Sequence, residues 1–239
     1  MTWNRASVGP GKLSGDIATV LDRVEEQFAN ALGRFRSRWE KRWPKEDYEP
    51  AFWYREQQTK TYVTFALDRV CSGLVMQEPP VERTGKSAKA SASSAGRADY
   101  WADFRDLHFH IEVKQAWVRY HENDKPLGLG DLFRKHRAAV KQVKSTLKPN
   151  VWKVNYGLAL TVAPVWQKIG DNAATFADDN LIKTLRNGVK KKYRVRRFAW
   201  WRFSPGYIEC KWKDPKKGPK HERYHGIVLC WSVIRAPKS

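Results

Sequence analysis

The residues 96–117, GRADYWADFRDLHFHIEVKQAW, carry acids, a lysine and histidines in a pattern that could do phosphate chemistry. From Leu107 the apolar residues Leu107, Phe109, Ile111 and Val113 alternate with His108, His110, Glu112 and Lys114, the pattern of a strand with one core face and one polar face. Glu112 and Lys114 therefore project together. Before them Ala98, Tyr100, Ala102 and Phe104 alternate with Asp99, Trp101 and Asp103. If Arg105-Asp106 is a two-residue turn, Phe104 pairs with Leu107, and counting back in antiparallel register brings Asp99 opposite Glu112. Carboxylates so placed, about 5 Å apart between Cβ atoms, repel unless a cation sits between them. A divalent ion on Asp99 and Glu112 would supply that cation, since Mg²⁺ takes hard oxygen ligands and is held by one or two carboxylates plus substrate phosphate. Such an ion polarises a phosphoryl oxygen and makes a bound water more acidic. Lys114 would orient that water or offset developing negative charge. Should the register differ, Asp103 takes the place of Asp99. His108 and His110 read either as ligands on the same face or as ordinary polar strand residues, and the whole constellation also reads as a surface ion-pair ladder.

The elements that must position this hairpin follow from periodicity. After Ser14, Ile17, Val20, Leu21, Val24, Phe28, Leu32, Phe35 and Trp39 recur at helical spacing up to Pro44, predicting an N-terminal helical extension over 1–48. The rest, 49–239, is expected to form one α/β domain. Pro50 opens a second helix that Gly73 stops, with Glu56 in its first turns, and residues 74–81 read as a short strand. The segment 84–96, rich in Ser, Ala and Lys, reads as a mobile loop over a binding face. A basic helix over 131–147 follows, then a strand at 156–165 apolar enough to be buried on both faces, a helix from Asp178, and strands at 198–203, 207–212 and 226–234. Helices interleaved with strands predict an α/β fold with a central mixed β-sheet flanked by helices on both faces.

Charge points to the partner. The chain has 239 residues and a formal net charge of +20, spread along its length, which attracts polyanions. The predicted helix carries Arg134, Lys135, Arg137, Lys141 and Lys144, and Lys190, Lys191, Lys192, Arg194, Arg196 and Arg197 form a dense cationic run. Both are candidate nucleic-acid contacts, against the plainer reading of solvated faces. A membrane surface fits less well because the cationic helices lack a broad exposed apolar face. No run of about 18 apolar residues occurs, and MTWNRASVGPGKLSG has no hydrophobic leader segment, so a cytoplasmic location is expected. Cys71, Cys210 and Cys230, odd in number and far apart, suggest reduced core residues rather than a disulfide framework or zinc ribbon. The twelve tryptophans either stack on unpaired bases or fill core positions.

The pattern G-R-A-D-Y followed by I-E-V-K resembles the PD-(D/E)xK nucleases, the restriction-endonuclease-like fold, and is nearest in wording to the nuclease domains of type I restriction enzymes. The resemblance covers about a third of the chain. It implies a central mixed sheet flanked by helices, dependence on Mg²⁺ or Mn²⁺, and hydrolysis of phosphodiesters, with DNA favoured over RNA. Asp99 matches the first acid, Glu112 the second and Lys114 the lysine, and Glu56 matches a glutamate that many members carry on the helix before the first strand. No proline precedes Asp99, a small departure. The Q-x-x-x-Y signature of several relatives is absent, since Gln142 is followed by Thr146, which argues against the exonuclease branch. The expectation is a Mg²⁺-dependent DNA endonuclease of a bacterial, phage or mobile-element system. The alternative is a non-catalytic basic nucleic-acid-binding protein on the same fold. A homodimer follows only by analogy, from the need to cut two strands.

Overall fold

A computed structural model describes residues 3–8, 13, 15–42, 56–83, 94–120, 126–127, 129–147, 154–168, 178–189, 194–203, 207–214 and 218–237. In chain order the elements are β1 (Trp3–Ser7), α1 (Gly15–Arg42), α2 (Glu56–Val70), β2 (Val75–Gln77), β3 (Pro80–Arg83), β4 (Ser94–Arg97), β5 (Tyr100–Phe104), β6 (Leu107–Gln115), β7 (Val118–Tyr120), β8 (Pro126–Leu127), α3 (Leu129–Thr146), β9 (Tyr156–Lys168), α4 (Asp178–Gly188), β10 (Arg197–Arg202), β11 (Ile208–Asp214) and β12 (Gly218–Arg235). Among the described residues these make one 10-stranded sheet, ordered β1-β10-β12-β9-β6-β5-β2 along its main path, and a small β3-β4 hairpin.

Pairing is antiparallel along that path except between β6 and β9, which run parallel. A parallel pair needs a crossover, and the chain supplies α3 between the two strands. The protein is thus α/β, with an open mixed sheet flanked by helices. On one face α1 and α2 bury Val20, Leu21, Phe28, Val63 and Leu67 against Ile111, Val113, Leu160 and Trp231. On the other, Leu132 and Phe133 of α3 and Leu181 and Leu185 of α4 meet Ala163, Val165, Phe198 and Trp200. Alternate residues of β10 thus enter opposite cores, Phe198 and Trp200 on one side, Ala199 and Trp201 on the other.

Two expectations are revised by this packing. The helix predicted as an N-terminal extension shares the main core, and β1 before it pairs with β10 at the sheet edge. The polar face of β6 is also covered: His110 and Glu112 are each 1% exposed. The reason is the crossover, because α3 returns over the face that a simple hairpin would leave to water. Of the segment expected to be a mobile loop, 84–93 lie outside the described residues, while 94–96 belong to β4. No helix among the described residues is long and apolar enough to cross a membrane.

Most tryptophans whose side chains are described serve the core, as Trp200, Trp201 and Trp231 do. The buried His136 ties three elements together: Thr161 Oγ1 lies 3.0 Å from its Nδ1 and Ser232 Oγ 2.8 Å from its Nε2. Ser232 donates its hydroxyl proton to the Arg194 carbonyl at 2.6 Å, so Nε2 must be the donor to Ser232 and Nδ1 the acceptor from Thr161. Burial pushes the pKa of this imidazole down to about 3, keeping it neutral.

Candidate active site

Residues 105 and 106 do form the turn, with Arg105 at φ 56°, the positive value that a tight hairpin needs at its first central position. Phe104 pairs with Leu107, Asp103 with His108 and Tyr100 with Ile111, the register counted from the sequence. The ladder stops there. At Asp99 the chain bends, held on its far side by the Glu78 N–H, which donates to the Asp99 carbonyl at 3.0 Å. One step beyond the last pair, the Asp99 side chain takes over from the backbone, and Oδ2 accepts the Val113 N–H at 2.7 Å. Val113 lies between Glu112 and Lys114, so Asp99 is fixed against the segment that carries both.

On the β5 side, no described strand pairs with β6 beyond Ile111. Side chains from the start of α2 enter through that opening. Lys60 Nζ donates to Asp99 Oδ1 at 2.7 Å and lies 3.3 Å from Glu56 Oε1, one helical turn earlier. Lys114 Nζ donates to the same Glu56 oxygen at 3.3 Å. The result is a chain of alternating charge, Asp99, Lys60, Glu56, Lys114, while Glu112 of β6 is buried. Glu56, Asp99 and Glu112 against Lys60 and Lys114 leave one formal negative charge when all are ionised. Burial works to lower the Lys60 pKa, but the hydrogen bond and charge of Asp99, then those of Glu56, outweigh it and raise the ammonium above its usual value. Tyr100 helps set the helix, donating its hydroxyl proton to the Lys60 carbonyl at 2.7 Å.

Of the predicted residues, Asp99, Glu56 and Lys114 are thus joined through Lys60, while Glu112 precedes Val113 on β6 with its side chain buried. Lys60 was missed, although the Glu56, Lys60 spacing of four on a predicted helix is the signal that one face carries both. Asp103 is not an alternative first acid: its Oδ2 lies 2.8 Å from His108 Nδ1, and Trp101 stacks on the same imidazole with centroids 6.1 Å apart. Burial lowers the pKa of His110, which a packed core histidine explains without a ligand.

Donor chemistry suits a hard divalent ion at Asp99 and Glu112, which offer carboxylate oxygens, with one qualification: Lys60 already holds Asp99 Oδ1. Among the described residues no group of three or more His, Cys, Asp or Glu side chains is gathered as a self-sufficient metal cage. A two-carboxylate site completed by phosphate and water does not require one.

The cationic residues divide. Arg134, Arg137, Lys141 and Lys144 are exposed along the outer stripe of α3, opposite the buried Leu132, His136, Val140 and Val143, with Lys135 half-buried at its side. Arg134 is partly engaged by Asp131. Lys190, Lys191 and Lys192 lie outside the described residues. Arg194 is exposed and Arg196 half-buried. Arg197 departs from the expectation of a nucleic-acid contact. It is 5% exposed and paired with Asp22, at 2.5 Å, and with the fully buried Glu25, so its charge is spent inside the fold. Its alternation into β10 puts it under α1, a position that a run of cations in sequence does not reveal.

No protein-family model matches the chain, and no curated protein or solved structure matches it.

Proposed function

We propose that this chain is a metal-dependent nuclease of restriction-endonuclease-like fold, a DNA endonuclease that hydrolyses phosphodiester bonds with Mg²⁺ or Mn²⁺. The observation that carries the reading is the hydrogen bond from Val113 N–H to Asp99 Oδ2, which ties the first acid to the strand segment bearing Glu112 and Lys114. An aspartate tied to a strand that carries Glu112 and Lys114 two positions apart resembles the family motif. The mixed sheet and Glu56 on the helix before the first strand of the meander agree with what that resemblance implies.

Asp99 and Glu112 would hold the ion, which when bound supplies charge stabilisation at the phosphoryl oxygens and a more acidic water. Asp99 is held through its backbone and Oδ2, which keeps its carboxylate in place, while Oδ1 carries Lys60. Glu56 holds Lys114 at the mouth of the site, where its ammonium can offset charge that develops on the phosphate. The exposed stripe of α3 supplies a sequence-independent grip on a phosphate backbone.

The second reading, a nucleic-acid-binding protein without turnover, is favoured by one observation: the ladder from Asp99 to Lys114 already neutralises most of its own charge. Purified protein incubated with supercoiled plasmid, linear duplex and single strands, with Mg²⁺ or Mn²⁺ against chelator, separates the two. Cleavage that needs the metal and is lost in Glu112→Ala and Lys114→Ala supports the nuclease. Binding with no cleavage by the wild type under any metal moves the assignment to the second reading.

A further inference from the structure

We infer that Lys60 is the site's resident cation, an ammonium that occupies Asp99 Oδ1 in the metal-free protein and is exchanged for the divalent ion. This rests on the nuclease reading above. Of the two Asp99 carboxylate oxygens, Oδ2 already accepts the Val113 N–H at 2.7 Å. The remaining oxygen carries Lys60 Nζ at 2.7 Å. A Mg²⁺ ion binds carboxylate oxygen at about 2.1 Å, so ion and ammonium on one oxygen would repel each other at short range, which drives the ammonium off Asp99.

The structure provides a place for it to go. Glu56 Oε1 lies 3.3 Å from the same Nζ and belongs to the same helix, so Lys60 can keep that partner while it releases Asp99. Lys114 is already on that oxygen. After the exchange Glu56 would hold two ammonium groups at the mouth of the site, both directed at incoming phosphate. Lysine suits this role better than arginine, being a compact charge on a flexible stem rather than a rigid planar fork. The exchange keeps the acids neutralised in the metal-free protein, and it makes metal binding weaker than the bare carboxylates would allow.

The test measures Mn²⁺ binding by calorimetry and by the metal-induced shift in Tm, with no substrate present. Removing a group that merely orients a ligand weakens metal affinity by about 10- to 100-fold. A competitor behaves oppositely: Lys60→Met is expected to tighten Mn²⁺ binding roughly tenfold, equivalent to about 1.4 kcal/mol. Lys60→Gln, which keeps a donor for Asp99, carries the same expectation should Lys60→Met not fold. Lys60→Arg retains the charge and stays near wild type, and Lys114→Met, whose ammonium is on Glu56 rather than Asp99, tightens binding less than Lys60→Met. Unchanged or weaker binding in both neutral Lys60 variants overturns the exchange while leaving the nuclease reading standing. No Mn²⁺ binding in wild type or in either variant overturns both.

Discussion

The pair of Lys60 and Asp99 should show a large energetic coupling in the metal-free protein, and its size follows from geometry. At 2.7 Å the gross Coulomb attraction is roughly 6 kcal/mol for an effective dielectric of 20. Most of this is offset by lost hydration, since the side chains are only 18% and 13% exposed. Exposed pairs measure about 0–1 kcal/mol and loss of one partner from a buried pair about 3–5 kcal/mol, so a partly buried pair should couple by about 2 kcal/mol. A double-mutant cycle of Lys60→Met and Asp99→Asn, read by urea denaturation in chelator, isolates that figure. Asp99→Asn keeps an oxygen for the Val113 N–H, whereas Asp99→Ala loses it and should cost about 1.5–3 kcal/mol more, the scale of a hydrogen bond to a charged group. The Lys60 pKa is raised in the folded state, so its contribution is complete below the unfolded value near 10.5 and is lost as pH rises through the folded value. Coupling below about 0.5 kcal/mol, the limit of ordinary additivity, would refute the reasoning.

Other outcomes follow from the same structure. His136 and His225 have pKa values pushed down to about 3 and about 4, chiefly by burial, so the unfolded chain takes up protons that the folded one refuses. Stability is therefore full above the unfolded value near 6.5 and falls in acid by up to roughly 2.7 kcal/mol per pH unit until about pH 4, where the His225 share ends; urea midpoints that stay flat from pH 7 to 5 would contradict this. Arg197→Ala leaves Glu25 buried with its main partner gone and should cost about 3–5 kcal/mol, whereas the exposed Lys141→Ala should change stability by less than about 0.5 kcal/mol. In DNA binding Lys141→Ala should reduce the slope of log K against log salt by about 0.9, and no change in slope would remove α3 from the interface. Gly226→Ala places a Cβ 2.1 Å from the Trp201 carbonyl oxygen at the irregularity in β12, so a large loss of Tm is expected, and an unchanged Tm would show that the strand can move aside.

The hairpin was legible because its turn, alternation and register are all local. Counting outward from Arg105-Asp106 gave the register as far as Tyr100 opposite Ile111, and α1 announced itself by its period, β9 by its apolar run and α4 by its cap at Asp178. What could not be read was set by partners distant in sequence. Glu112 and His110 looked exposed because alternation does not say that α3 returns over their face. Arg197 looked like a surface cation because its partners, Asp22 and Glu25, are more than 170 residues away. The stretch KDPKKGPKHER, 213–223, reads as an exposed basic loop, yet Glu222 pairs with Cys210 and Lys220 with Trp212, so its second half belongs to β12. β1 was missed because WNRAS is short and acquires its strand form only by pairing with β10. Lys60 was within reach, four residues from a glutamate already singled out, but the bend that turns Asp99 toward it is a tertiary feature.

The most direct measurement is anomalous diffraction from crystals soaked in Mn²⁺, compared between wild type and Glu112→Gln. A single strong peak about 2.1 Å from carboxylate oxygens of both Asp99 and Glu112, lost in the variant, is the predicted result. A peak elsewhere, or none at concentrations that support cleavage, would contradict the assignment of these two acids as the metal-holding pair.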